Sequence, residues 1–373
     1  MEYVRERALA FLRVVVWCFD YLIYIIFNPF KFKPLPKDIK KILIIEIKYI
    51  GDVIATTPSI HAIKNAYKSA EIDIVVPEVM NSLLKNNPDI SSILTFDNKT
   101  FSENLAMIKN KYDLSIIFHN GTFKTSLLLF LARIRFRIGC TKVGITEGKG
   151  YFLHRNTKPT FKLKHKIYDN LDVIKTINIS LKDAKLHLFT DKFSDKKINR
   201  LLEKNKIGKK GNLIIIHPSP QHKSHEWFQD RFAGLSDILV ERYKACIVFS
   251  GAKKDFDYNE KIIKLMKKKA LNLAGTSLPE FVSLVNRSKL VISVDTGAMH
   301  VSAALNKPTI SLFGAGNPKI WKPYCSKSYV IFKEYSAHTS CMRHNCYLKD
   351  KRYMECMKSI SINDVLKQIK EIL

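Results

Sequence analysis

Four short segments of this chain combine residue types that could do chemistry. The first, Glu46-Ile47-Lys48-Tyr49-Ile50-Gly51-Asp52-Val53, lets Gly51 make a tight turn and sets Asp52 at the N-terminus of the next helix. Asp at such a place most often caps a helix; a carboxylate at a strand end can also take a proton from a bound hydroxyl as a general base. A dinucleotide fingerprint is excluded here, because Gly51 stands alone where that motif has three glycines. The second segment, Val294-Asp295-Thr296-Gly297-Ala298-Met299-His300, ends an apolar run in Asp-Thr-Gly and starts a helix at once. The leading N–H groups of a helix, with its dipole, suit an anion such as a diphosphate. Thr296 adds a hydroxyl and Gly297 permits close approach; His300, one turn in, either faces the same ligand or packs between helices. The third, residues 217–227 (HPSPQHKSHEW), offers Lys223 as a point charge for a phosphate, against the default of a solvated loop lysine. In the fourth, Ser250-Gly251-Ala252 closes a strand and Asp255 follows within reach of a ribose hydroxyl, the weakest signal of the four.

Each segment needs a strand that ends where it begins. From residue 41 onward, short β-branched runs alternate with amphipathic stretches. Strands are predicted over 42–47, 72–76, 114–118, 213–217, 245–249, 290–294 and 309–313. Helices are predicted over 52–67, 79–86, 123–137, 228–242, 257–269 and 298–305. This alternation calls for parallel sheets covered on both faces, an α/β fold. A Lys-rich stretch around 191–211 separates two such series, so the chain reads as two Rossmann-like domains, 41–190 and 191–373, facing a central cleft. Ligands of open α/β sheets bind beyond the carboxyl ends of the strands, where all four segments fall.

The 373 residues carry 62 Lys and Arg against 34 Asp and Glu, a formal charge of +28. A hydrophobic fraction of 46% excludes a disordered polycation, so the charge belongs to a folded chain with an anionic partner. Nucleic acid, an acidic membrane surface and a phosphorylated substrate all qualify. No nucleic acid is expected, because the lysines are scattered over helices and no nucleic-acid module is present. Cys341, Cys346 and Cys356 crowd near the C-terminus with His338 and His344 nearby, but spacings of five and ten lack the two-residue gap of common zinc sites. A packed or redox-linked motif is the preferred reading there, and neither metal nor cofactor is expected.

Residues 8–30 are the most apolar stretch. Glu6, Arg13 and Asp20 recur every seventh residue and share one helical face, which suits a helix lying in a membrane interface better than one crossing it. Packing on the protein's own surface is the alternative. Lys31, Lys33, Lys37, Lys40 and Lys41 follow as a flank for anionic headgroups, so residues 1–40 read as a membrane-associating helix and basic linker.

Taken together, these segments resemble the ADP-heptose:lipopolysaccharide heptosyltransferases of glycosyltransferase family 9. The family's aliphatic strand, I-G-D-V and T-T-P read as ILIIEIKYIGDVIATTPSIHAIKNAY over 42–67. Its D-T-G-x-M-H block reads as VISVDTGAMHVSAALNKPTISLFGAGNP over 291–318, and its K-x-x-E-W loop as KSHEW over 223–227. A C-terminal block with Cys341, Cys346 and Cys356-Met357 precedes ISINDVLKQI. The resemblance implies a GT-B fold, with acceptor in the N-terminal domain and donor nucleotide in the C-terminal one. It also implies inverting, metal-independent transfer of heptose from ADP-heptose, or a related nucleotide sugar, to a lipid-linked phosphorylated glycan of the Kdo–lipid A type. Asp52 matches the family's base, Lys223 the lysine meeting the departing diphosphate, and Asp295, Thr296, Gly297 and His300 the donor loop; Asp255 loosely matches the ribose contact. The expected location is the cytoplasmic face of the bacterial inner membrane. Two features depart from the pattern: the N-terminal forty residues, and Ala298 with Gly314-Ala315-Gly316, where Pro or Thr is common. A homologue that binds the donor without catalysis is the other reading, and the intact Asp52 argues against it.

Overall fold

The computed structural model describes Val15, Cys18, Phe19 and Leu22 singly, and residues 33–120, 122–140, 150–158, 162–208, 211–333 and 341–373. The helix expected over 8–30 lies almost wholly outside the described residues, and His338 lies outside them too. Among the described residues, no helix is long and apolar enough to cross a membrane. The chain divides into two compact units, one ending at Ala184 and one spanning Lys185–Leu373.

In the first unit, Ile42, Leu43, Ile44 and Ile45 have no exposed surface, a continuous apolar run that only a strand covered on both faces can use. This strand, β1 (Lys41–Ile45), sits at the middle of a sheet with β2 (Glu71–Val75), β3 (Ser92–Leu94), β4 (Leu114–Asn120), β5 (Phe136–Cys140) and β6 (Arg155–Asn156). The order is β3-β2-β1-β4-β5-β6, and every pair is parallel. The second unit repeats the plan with β7 (Asn212–His217), β8 (Ala245–Phe249), β9 (Leu271–Asn272), β10 (Leu290–Val294), β11 (Thr309–Phe313) and β12 (Ser328–Phe332). Its order is β12-β11-β10-β7-β8-β9, again all parallel. The direction of winding reverses between β1 and β4, and again between β7 and β10, and a crevice for ligands opens at such a switch point.

The helices that matter for the site are α1 (Ile50–Ala66), α2 (Phe101–Ile108), α3 (Phe123–Leu131) and α4 (Lys166–Lys175) in the first unit. In the second they are α5 (Lys192–Lys204), α6 (Gln229–Tyr243), α7 (Phe256–Leu265), α8 (Leu278–Arg287), α9 (Gly297–Ala304) and α10 (Ile362–Ile369). Two expectations need correction. The helix predicted over 123–137 stops at Leu131, because Arg133 turns left-handed (φ 57°) and the alternating Phe136, Arg137 and Ile138 become β5. Arg137 is buried, its guanidinium donating to the carbonyls of Phe152 and Ile134 at 2.7 and 2.6 Å, so its charge does not mark a surface. The Lys-rich stretch at 191–211 is not a plain separator either. Asp191 caps α5, whose Ile198 and Leu202 are buried.

The C-terminal α10 is fastened by a reciprocal cap. The Ser361 N–H and hydroxyl donate to the Asp364 carboxylate at 2.8 and 2.6 Å, and the Lys333 ammonium donates to it at 2.9 Å. Partial burial opposes the charge, but these donors outweigh it and pull the carboxyl down to about 2. A carboxyl depressed from about 4 in the unfolded chain stabilises above that pH and loses its contribution as pH falls through the folded value. We expect Asp364→Asn to cost about 1 kcal/mol at pH 7. In thermal melts the gap between variant and parent should close between about pH 4 and pH 2; a constant gap would refute the account.

Candidate active site

The first cluster lies at the carboxyl end of β1. Tyr49 is the N-cap of α1, and its N–H donates to the Asp52 carboxylate at 3.3 Å, so Asp52 sits in the helix's first turn and is only 7% exposed. Pro58 lies inside α1 and lacks the N–H that would bond the Ile54 carbonyl. The Thr57 hydroxyl takes that carbonyl instead at 2.7 Å, while Thr56 donates to the Asp52 carbonyl at 2.8 Å. The T-T-P run thus compensates for its own proline and holds the turn that carries Asp52. From α4, Asn170 Nδ2 donates to the Ala55 carbonyl at 3.1 Å and to Thr56 Oγ1 at 3.2 Å, clasping the two helices together.

That clasp brings in Lys166, the first residue of α4. Its ammonium lies 3.7 Å from Asp52 and 3.9 Å from Glu46, and donates to the Phe118 carbonyl of β4 at 3.1 Å. Glu46 has no exposed surface, and its Oε2 has no hydrogen-bond partner; its Oε1 accepts from the Lys48 N–H at 3.3 Å. Burial pushes the Glu46 carboxyl up to about 8, opposed by the Lys166 charge. Burial raises the Asp52 carboxyl as well, opposed by Lys166 and the Tyr49 N–H. Burial alone would lower the Lys166 ammonium, but the two carboxylates outweigh it and hold it above the ordinary lysine value. Neither Glu46 nor Lys166 stands out as a site residue in the sequence. No motif marks Lys166, and its meeting with Asp52 depends on the packing of α4 against α1.

The second cluster lies at the carboxyl ends of β7, β10 and β11. Thr296 is the N-cap of α9 in extended conformation (φ −146°), with no side-chain bond across the helix start; its Oγ1 lies 3.0 Å from Ser293 Oγ. The leading N–H groups of α9 therefore have no side-chain cap. Asp295 lies 3.3 Å from His225 Nδ1, which joins the loop after β7 to the loop after β10 across the switch point. A Cβ at Gly316, beyond β11, would overlap the Asp295 carboxylate and lie 3.3 Å from His225 Cε1. Lys223 begins a short 3-10 turn, Lys223–His225, and is exposed. The Ser224 hydroxyl within that turn donates to the carbonyls of Arg343 and His344 at 2.6 and 2.9 Å, and the His222 ring stacks on His344 at 3.8 Å. His300 is buried, edge-on to Trp321 at 6.2 Å. Asp255 accepts from the Ala252 N–H at 2.8 Å and lies against Gly251, clasping its own loop. The sequence shows His225 inside KSHEW, His344 beside the cysteines and Gly316 in its loop, but not that they meet here, because that meeting exists only where three loops converge.

Lys223, Asp295, Thr296 and Gly297 thus belong to one loop cluster in the second unit, while Asp52 belongs to a separate cluster in the first. Among the described residues, no group of three or more His, Cys, Asp or Glu side chains is placed to hold a metal ion. Cys356 lies near Cys341 and Cys346, and burial first, then those neighbours, push its thiol up.

The sequence profile of Glycosyltransferase family 9 (heptosyltransferase) matches residues 104–351, about two-thirds of the chain. A lipopolysaccharide heptosyltransferase 3 of Escherichia coli K12 is 28% identical over 299 residues, covering 74% of this chain and 83% of that protein. Among solved structures, a glycosyl transferase family 9 protein from Veillonella parvula superposes with a TM-score of 0.78 at 21% identity, covering 89% of this chain and 97% of that one. The Escherichia coli ADP-heptose lps heptosyltransferase II superposes with a TM-score of 0.73 at 20% identity, covering 89% and 98%. These likenesses agree with the two-unit GT-B architecture.

Proposed function

The chain belongs to the glycosyltransferase family 9 heptosyltransferases, and on that premise we propose that it transfers heptose from ADP-heptose to a phosphorylated, lipid-linked inner-core acceptor of the Kdo–lipid A type. The observation that carries this reading is Asp52, a carboxylate held in the first turn of α1 at the sheet's switch point with an ammonium behind it. In the reaction, the acceptor hydroxyl attacks the anomeric carbon while Asp52 takes its proton. The bond from that carbon to the diphosphate oxygen breaks in the same displacement, so configuration inverts. The electron pair leaves on ADP, whose negative charge is suited to the Lys223 ammonium and the uncapped N–H groups of α9. Thr296 and Gly297 line that helix start, Asp295 is aimed by His225, and Asp255 lies at the neighbouring loop.

The +28 charge fits both an anionic donor and a phosphorylated acceptor. Residues 8–30 with the following lysines fit a peripheral hold on the cytoplasmic face of the inner membrane.

The test is transfer with purified full-length protein, Kdo–lipid A and a panel of nucleotide sugars. Heptose addition from ADP-heptose with inversion at the anomeric carbon is expected. Absence of heptose transfer alongside turnover of another nucleotide sugar would overturn the donor assignment while leaving the transferase reading in place.

A further inference from the structure

Two carboxylates and one ammonium are enclosed together at the end of β1, and simple charge counting makes that arrangement asymmetric. One buried cation compensates one buried anion; a second unpaired anion in the same enclosure costs several kcal/mol. The two acids are not equivalent. Asp52 receives the Tyr49 N–H and stands at the positive end of α1, both of which favour its anion. Glu46 is wholly buried, accepts a single N–H through Oε1, and leaves Oε2 without a hydrogen-bond partner. A neutral acid with one unpartnered oxygen costs less than an anion so placed.

We infer that Lys166 and Glu46 are positioning residues for the transfer reaction: Lys166 holds the Asp52 carboxylate ionised and aimed, and Glu46 is the buried neutral acid that leaves the ammonium to Asp52. This rests on the reading of Asp52 as base. The division matters because a base must be ionised before substrate arrives and stay in one place. Asp52 is fixed by a backbone N–H on one side and Lys166 on the other, and Lys166 is itself fixed by the Phe118 carbonyl. When Glu46 loses its proton at alkaline pH, two anions compete for one ammonium and Asp52 loses its sole claim on it. Other groups around the enclosure are Lys48 on the loop, Asp169 one turn along α4, Cys140 at the end of β5, and His119 of β4, whose Nδ1 lies 3.4 Å from the Ile45 carbonyl. Among the described residues, it is Lys166 that pairs with Asp52 and Glu46 together.

The experiment uses the full-length chain and compares the parent with Glu46→Gln, which mimics the neutral acid, and Lys166→Met. In the parent, kcat should fall above about pH 8, where the Glu46 carboxyl titrates. Glu46→Gln should keep kcat near neutral pH within about threefold and lose that alkaline fall. Lys166→Met should lower kcat about tenfold with little change in donor KM, and move the acidic limb of the kcat profile to higher pH, because the Asp52 carboxyl loses its cation. Carboxyl carbon resonances of the labelled protein give a second readout independent of turnover. The Glu46 signal, identified by its absence in Glu46→Gln, should titrate far above the ordinary glutamate range and higher still in Lys166→Met. A Glu46 signal titrating near the ordinary range, or a Glu46→Gln enzyme with the parent's alkaline limb, would overturn the inference. Loss of heptose transfer in the parent itself would instead strike the function, and the carboxyl titration would still decide the pairing.

Discussion

Asp52→Asn is expected to lower kcat by two to four orders of magnitude, the range for removal of a positioned general base, while donor affinity stays within about threefold. The amide is nearly isosteric with the carboxylate and can still accept the Tyr49 N–H, so the first turn of α1 should keep its geometry. What it cannot do is take a proton from an attacking hydroxyl. The rate loss corresponds to about 3–5 kcal/mol of transition-state stabilisation. Two features keep the variant folded. α1 is anchored away from this carboxylate by Asn170 of α4, which donates to the Ala55 carbonyl. Lys166, deprived of Asp52, still has Glu46 at 3.9 Å, which can ionise to replace the lost partner. Steady-state kinetics together with calorimetric titration of ADP separate the outcomes. A variant that keeps more than a tenth of the parent's kcat, with unchanged ADP affinity, would remove Asp52 from the role of base.

The strands that carry both clusters are legible in the sequence because buried parallel strands leave continuous apolar runs. The run at 42–47 forms β1 over Lys41–Ile45, and those at 245–249, 290–294 and 309–313 match β8, β10 and β11. Three of the four edge strands, β3, β6 and β9, have two or three residues each, too few for any period to show. The strand β5 is read as the end of a helix over 123–137 because Arg137, buried and bonded to carbonyls, interrupts its apolar run. Asp52, Asp295 and Thr296 are visible because turn chemistry fixes them locally, beside a glycine and at a helix start. Lys166 is invisible for the opposite reason: 114 positions separate it from Asp52, and only the packing of α4 on α1 joins them. The same holds for His225 and Asp295, which meet because β7 and β10 are neighbours at the switch point. Residue types at strand ends thus announce where a site lies, while the partners that tune it come from elements whose adjacency is a property of the sheet.

Gly316→Ala should weaken ADP binding by about 10- to 100-fold, the equivalent of the 1–3 kcal/mol that forced overpacking typically costs. The added methyl would overlap the Asp295 carboxylate, so Asp295 must swing away and give up its approach to His225 at 3.3 Å. Backbone strain is not the cause, because Gly316 is not among the residues with positive φ; the penalty is one of space. The displaced carboxylate lies immediately before Thr296 at the start of α9, so the loss should fall on donor binding more than on stability. Burial of the second unit's core around Trp227, Phe232 and Ile292 lies elsewhere and is untouched. A double-mutant cycle isolates the mechanism. With Asp295→Ala in place the carboxylate is gone and the methyl has room, so adding Gly316→Ala should cost little further affinity. If instead the two losses add in full, the Gly316 effect does not run through Asp295. The loop Gly314-Ala315-Gly316 would then act on the donor by another route. Thermal melts of the four proteins complete the cycle: melting temperatures within a few degrees of one another, alongside a large affinity difference, are the expected result.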